Sequence, residues 1–222
     1  MRFSILAIIV SFCVVASSPR CSATTLTFDN LASLTSMSTV SPYGGLNWTN
    51  WTSYTDSGMS SLNYDGYAKG VVSQPGALFS GGEISSSGNE ITGTFSGAGG
   101  STFTLNTVYL GAAYYDGEKL AVSGFNGVTP VFSTTVTLTT TGAQKFSFEE
   151  AGLTSVNMTP VPGTGTDTYG CGTFNCTQFT MDNLEINDPI PTSAPEPASL
   201  CLVGLAAGAW MLRKRLVRSR PA

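Results

Sequence analysis

The chain contains no histidine among its 222 residues. That absence removes Ser–His and Cys–His nucleophile pairs, any imidazole acid or base, and histidine-ligated zinc. Charge is also scarce, at 11% of the chain. Between Thr24 and Ile190 the only basic residues are Lys69, Lys119 and Lys145, set against thirteen carboxylates. An excess of ten negative charges repels phosphate backbones and anionic lipid, which excludes a nucleic-acid partner. The same stretch holds two cysteines, Cys171 and Cys176, and no segment of it has a helical period.

What remains is a stretch of 167 residues, long enough for one domain with its own core. It is rich in Thr, Ser, Gly and Asn, and short runs of alternating apolar and polar residues recur in it. Strands are expected at 25–28, 90–95, 102–105 leading to 108–115, 120–125, 131–140, 146–148, 154–158 and 179–186. Asp116-Gly117 marks a turn between two of them. In the run 90–95, Ile91 and Phe95 face one way and Thr92 and Thr94 the other. Eight or nine strands with a turn about every ten residues predict an all-β fold, a two-sheet β-sandwich of jelly-roll type.

The two ends differ from this body. Met1-Arg2 and the apolar run to Val15 form a secretory signal peptide, 1–23, cleaved by signal peptidase after Ala23. Cys21 follows Ser18-Pro19-Arg20, a poor lipobox, so lipidation is not expected. The body, 24–190, is followed by a linker, 191–197, that ends in Pro195-Glu196-Pro197. An uncharged apolar helix follows at 198–212, then a basic tail at 213–222 that opens with Arg213, Lys214 and Arg215. The two prolines stop the helix from extending backwards. The basic cluster holds the far end on the cytoplasmic side. Fifteen apolar residues make about 22 Å of helix against a hydrocarbon core of about 30 Å, short for a permanent anchor. This tail resembles the PEP-CTERM sorting signal of Gram-negative bacteria. The resemblance implies an exosortase substrate, held transiently in the inner membrane and then delivered to the cell surface or the exopolysaccharide matrix. An ordinary single-pass C-terminal anchor is the alternative.

The body also resembles a loose set of secreted β-sandwich proteins. The resemblance is carried by Thr27-Phe28-Asp29-Asn30-Leu31, by Tyr43-Gly44-Gly45-Leu46-Asn47-Trp48, and by Phe179-Thr180-Met181-Asp182-Asn183-Leu184-Glu185-Ile186. It implies a jelly roll similar to carbohydrate-binding modules, and it implies no activity. If the first and last strands pair, Asp29 comes near Asp182, where a structural calcium is one reading. The other is that both Asp-Asn pairs cap turns. No other cofactor is expected. Cys171 and Cys176 are expected to close a short disulfide, worth about 2 kcal/mol by loop entropy. A zinc or redox pair is the weaker reading, because no histidine or further body cysteine is at hand.

Tyr43, Trp48, Trp51 and Tyr54 crowd twelve residues and are the candidate sugar-binding group. On one strand Trp48 and Trp51 would face opposite sides, leaving one ring free to stack on a sugar. The competing reading is that both rings fill the core. No catalytic residue is assigned. A glycosidase needs two carboxylates at a matched separation, but Glu149 and Glu150 are expected on opposite faces, and Asp116 and Glu118 read as turn residues. The expectation is therefore an exported, non-enzymatic scaffold or adhesion domain. A lectin-like carbohydrate-binding module is the first alternative and a secreted glycoside hydrolase the second.

Overall fold

The computed structural model describes residues 23–31, 38–40, 42–60, 65–81, 90–170 and 176–190. Residues 1–22 of the signal peptide, the sorting motif at 195–197, the apolar helix, the basic tail and Cys171 lie outside the described residues. The chain divides into two compact units, Met1–Pro189 and Ile190–Ala222. Among the described residues no helix is long and apolar enough to cross a membrane.

The first unit is an all-β sandwich. In chain order its strands are β1 (Thr24–Leu26), β2 (Ser38–Thr39), β3 (Leu46–Thr49), β4 (Thr52–Thr55), β5 (Gly76–Gly81), β6 (Gly93–Gly97), β7 (Phe103–Ala112), β8 (Tyr115–Asp116), β9 (Lys119–Asn126), β10 (Thr129–Thr137), β11 (Gln144–Leu153), β12 (Ser155–Pro160), β13 (Thr166–Asp167) and β14 (Gln178–Ile186). One sheet has seven strands in the order β11-β7-β14-β5-β4-β2, with β1 also paired to β14. The second has five, β10-β9-β12-β6-β3. A small ribbon pairs β8 with β13. The chain passes repeatedly from one sheet to the other, so most connections lie at the ends of the sandwich.

The core lies between the sheets. Leu120 and Val122 from β9, Val156 and Met158 from β12 and Phe95 from β6 meet Leu105, Val108 and Leu110 from β7 and Phe179 and Met181 from β14. Alternation explains this: successive side chains of a strand point to opposite faces, so every second residue is apolar and buried. The rule breaks once in β7, between Leu105 and Val108, and once in β14. Asn183 has φ 47°, and the pairing with β7 shifts register beside it, between Asp182 and Glu185. This bulge resets the phase, so Leu184 and Ile186 join Met181 in the core.

The outer face of the seven-stranded sheet is covered too. Two short helices, α1 (Asp56–Ser60) and α2 (Asp65–Gly70), close a second apolar cluster of Tyr54, Met59, Tyr67, Ala77 and Ala113. They are too short to leave a helical period in the sequence, which predicts no helix there. Gly66 and Gly70 allow α2 to lie close. A side chain at Gly66 would collide with the Ala113 carbonyl, and one at Gly70 with Thr180.

Candidate functional site

The aromatic group does not form a surface. Trp48 and Trp51 are 8% and 1% exposed and Tyr54 2%. Trp48 packs edge-on against Phe28 and Trp51 and tilted against Phe95, and Trp51 packs edge-on against Phe179. Both indole N–H groups donate inward, Trp48 Nε1 to the Tyr43 carbonyl and Trp51 Nε1 to the Thr94 carbonyl, each at 3.1 Å. Tyr43 is half-buried against the same core, and Tyr54 donates to the Tyr67 carbonyl beneath the helices. The expectation that one indole is free fails because the two are not on one strand. β3 belongs to the five-stranded sheet and β4 to the seven-stranded sheet. Asn50, at φ 62°, turns the chain between them, and both rings point into the space between the layers.

Asp29 does approach Asp182. β1 pairs antiparallel with the end of β14, Leu26 opposite Leu184, and this carries the following residues toward Asp182. Their meeting point is Ser73, which no sequence motif singles out. Its hydroxyl lies 3.4 Å from Asp29 Oδ1, 3.3 and 3.4 Å from the two Asp182 oxygens, and 3.0 Å from Asn183 Oδ1. Asp182 Oδ2 accepts the N–H groups of Val72 and Ser73, at 2.7 and 2.8 Å, and its Oδ1 accepts that of Asn183, at 2.7 Å. Burial pushes the Asp182 carboxyl up to about 6; the three N–H groups work against this, and Asp29 adds to it. Three N–H donors hold this carboxylate, and the Ser73 hydroxyl has one proton to share among the oxygens around it. The donor set makes a hydrogen-bonded tie between β1, β14 and the 71–76 segment.

Cys176 is disulfide-bonded. Asp116 is a turn residue, as expected, accepting from Thr139 Oγ1 at 2.6 Å and from the Thr140 N–H at 3.0 Å. Those bonds hold its carboxyl below the usual range.

Glu118 closes that turn, its N–H donating to the Tyr115 carbonyl at 3.2 Å, and its side chain is buried. It has no exposure to solvent. Its side chain shares the inward phase of Leu120 and Val122 on the strand it leads into. Neither of its carboxylate oxygens has a hydrogen-bond partner among the described residues. Burial, with a further contribution from the charge of Glu90, pushes this carboxyl up to about 9. Glu90 in turn accepts from the hydroxyl of Thr177, which is itself buried. The one sequence signal that could have found Glu118 is this alternation, which runs back past the start of β9.

Asn106 carries no sequence signal either. It is 2% exposed, donates to Glu149 Oε2 and to the Asp188 carbonyl, and accepts from the Asp188 N–H. It clamps the chain where it leaves β14 toward the linker.

No protein-family model and no curated protein matches the chain. Among solved structures it is similar to the K2 cleaved adhesin domain of Lys-gingipain, at 11% identity and a TM-score of 0.41, over 75% of this chain and 98% of that one. It is also similar to TmCBM61 in complex with β-1,4-galactotriose, at 8% identity and a TM-score of 0.31, over 72% of this chain and 92% of that one.

Proposed function

We propose that this chain is an exported, non-enzymatic β-sandwich that serves as a scaffold or adhesion domain at the cell surface or in an exopolysaccharide matrix. Its PEP-CTERM-like tail delivers it there. The observation that carries the reading is the ordered signal Pro195-Glu196-Pro197, an apolar segment and Arg213-Lys214-Arg215, joined to a signal peptide at the other end. The body supports it in a simple way. Trp48, Trp51 and Tyr54 are spent on the core, and Glu118 is withdrawn from substrate, because it has no exposure. A glycosidase acid must reach the glycosidic oxygen. Signal peptidase and exosortase act on the chain during export, and exopolysaccharide is the surrounding medium.

The test is to express the full chain in a bacterium that has exosortase, beside a variant with Pro195, Glu196 and Pro197 all changed to alanine. The parent is expected to lose its C-terminal segment and to leave the inner membrane. The variant is expected to stay membrane-bound and full-length. A parent found in the cytosol with both apolar ends intact overturns the proposal.

A further inference from the structure

We propose that β10 is an assembly edge, through which two copies of this chain pair antiparallel and run their five-stranded sheets on as one. Along a strand, every second residue turns its backbone N–H and C=O away from a given neighbour. Among the described residues β10 pairs with β9 alone. From Phe132 to Thr137 that pairing holds without a register shift, so the far side presents a straight row of unpaired backbone groups. Val131, Ser133, Thr134, Thr135 and Thr137 are exposed along it.

The other edges are guarded and this one is not. β2 has two residues and β3 four. β11 is long, but it carries Lys145, Glu149 and Glu150, its pairing with β7 shifts register twice, and Glu149 sits at φ 54°. Short length, charge and irregularity are the devices that keep natural edges from pairing. On β10 the guards are Pro130 and one bulge, both ahead of Phe132. From Leu120 to Gln144 the sequence has no charged residue.

Charge decides the occupant. Strands β3, β6, β9, β10 and β12 hold no carboxylate, and Lys119 at the start of β9 is their one charged residue. The excess of ten negative charges between Thr24 and Ile190 therefore lies off this sheet. Two copies repel wherever their acidic surfaces face each other and approach most freely here. A partner selected by charge would be basic and would settle on the acidic surface. β10 offers backbone groups, hydroxyls and apolar side chains. Val128, in the turn before it, and Val131 are two of the three large apolar side chains exposed among the described residues. A second β10, turned by a two-fold axis, meets each of these with its like.

The experiment places the photo-crosslinking residue p-benzoylphenylalanine at Thr135 in the purified full chain, kept in mild detergent. Mass spectrometry identifies the products of ultraviolet irradiation. The chain is expected to give a covalent dimer whose cross-link joins β10 to β10. The same probe at Ser147, exposed on β11, is expected to give none. Adding Thr134→Lys to the Thr135 probe puts like charges on the facing strands and is expected to lower the dimer yield roughly fivefold. The melting temperature is expected to stay the same, because Thr134 is exposed. Absence of a dimer from Thr135 overturns the proposal. So do equal yields from Thr135 and Ser147, which mean association through the apolar ends. A cross-link from Thr135 into another strand or another protein overturns it as well, as does a Thr134→Lys chain of undiminished yield.

Discussion

Asn50 decides the fate of the two tryptophans on either side of it. Its positive φ turns the chain from one sheet to the other, and asparagine takes that conformation more readily than most residues. Trp48 and Trp51 consequently act as core residues. Replacing either with alanine removes a large buried ring, and the expected loss of stability is about 3–5 kcal/mol. Chemical denaturation measures it. A variant that keeps parental stability yet loses binding on a glycan array would put the ring's role at the surface instead. The cluster of aromatics was legible in the sequence. Its inward direction was not, because side-chain alternation holds along one strand, and the turn at Asn50 separates Trp48 in β3 from Trp51, which leads into β4. Ser73 is hidden for a similar reason. A lone serine has no pattern, and only the pairing of β1 with β14 places it between Asp29 and Asp182.

At the scale of elements, α2 shows how a short helix depends on what lies under it. Six residues cannot hold a helix by propensity. α2 persists because Gly66 and Gly70 let its backbone settle on β7 and β14. Gly66→Ala pushes a methyl into a main-chain carbonyl, and the expected cost is about 1–3 kcal/mol or more. Faster amide exchange across Tyr67 and Ala68 would report the lifting of the helix, and unchanged exchange would contradict it. The bulge in β14 makes a comparable demand. Asn183→Val places a β-branched residue at φ 47°, with an expected cost of about 1–3 kcal/mol, whereas Asn183→Gly removes the strain and loses only the contact with Ser73. Thermal unfolding of the pair separates backbone from side-chain effects; the valine form is expected to melt lower. The long strands near β9, β10, β12 and β14 could be read from alternation. β4 and β5 could not, since their residues are buried under the helices as well as by the core, and β3 alternates but is only four residues long.

For the whole molecule, the buried carboxylates make stability depend on pH. The Asp182 carboxyl rises from an ordinary value of 3.8 to about 6 in the folded chain. The folded state therefore binds this proton more tightly than the unfolded state. Its contribution is complete below pH 3.8 and is lost as pH rises through about 6. The full difference is about 3 kcal/mol. Unfolding measured from pH 4 to 7 is expected to show stability falling with pH, and Asp182→Asn to flatten that part of the slope. The slope is the quantity to read, because asparagine also disturbs the N–H groups of Val72 and Ser73. Parallel profiles for parent and variant would remove Asp182 as the source.

Composition and alternation were enough to establish an all-β domain and its acidic character. Those properties are local or additive: a charge is counted wherever it sits, and a strand announces itself by period. Tertiary structure alone decided that Trp48 and Trp51 share one core and that Ser73 ties Asp29 to Asp182. Each of these joins residues distant in sequence or in different sheets, and only the stacking of two sheets brings such residues within reach of one another.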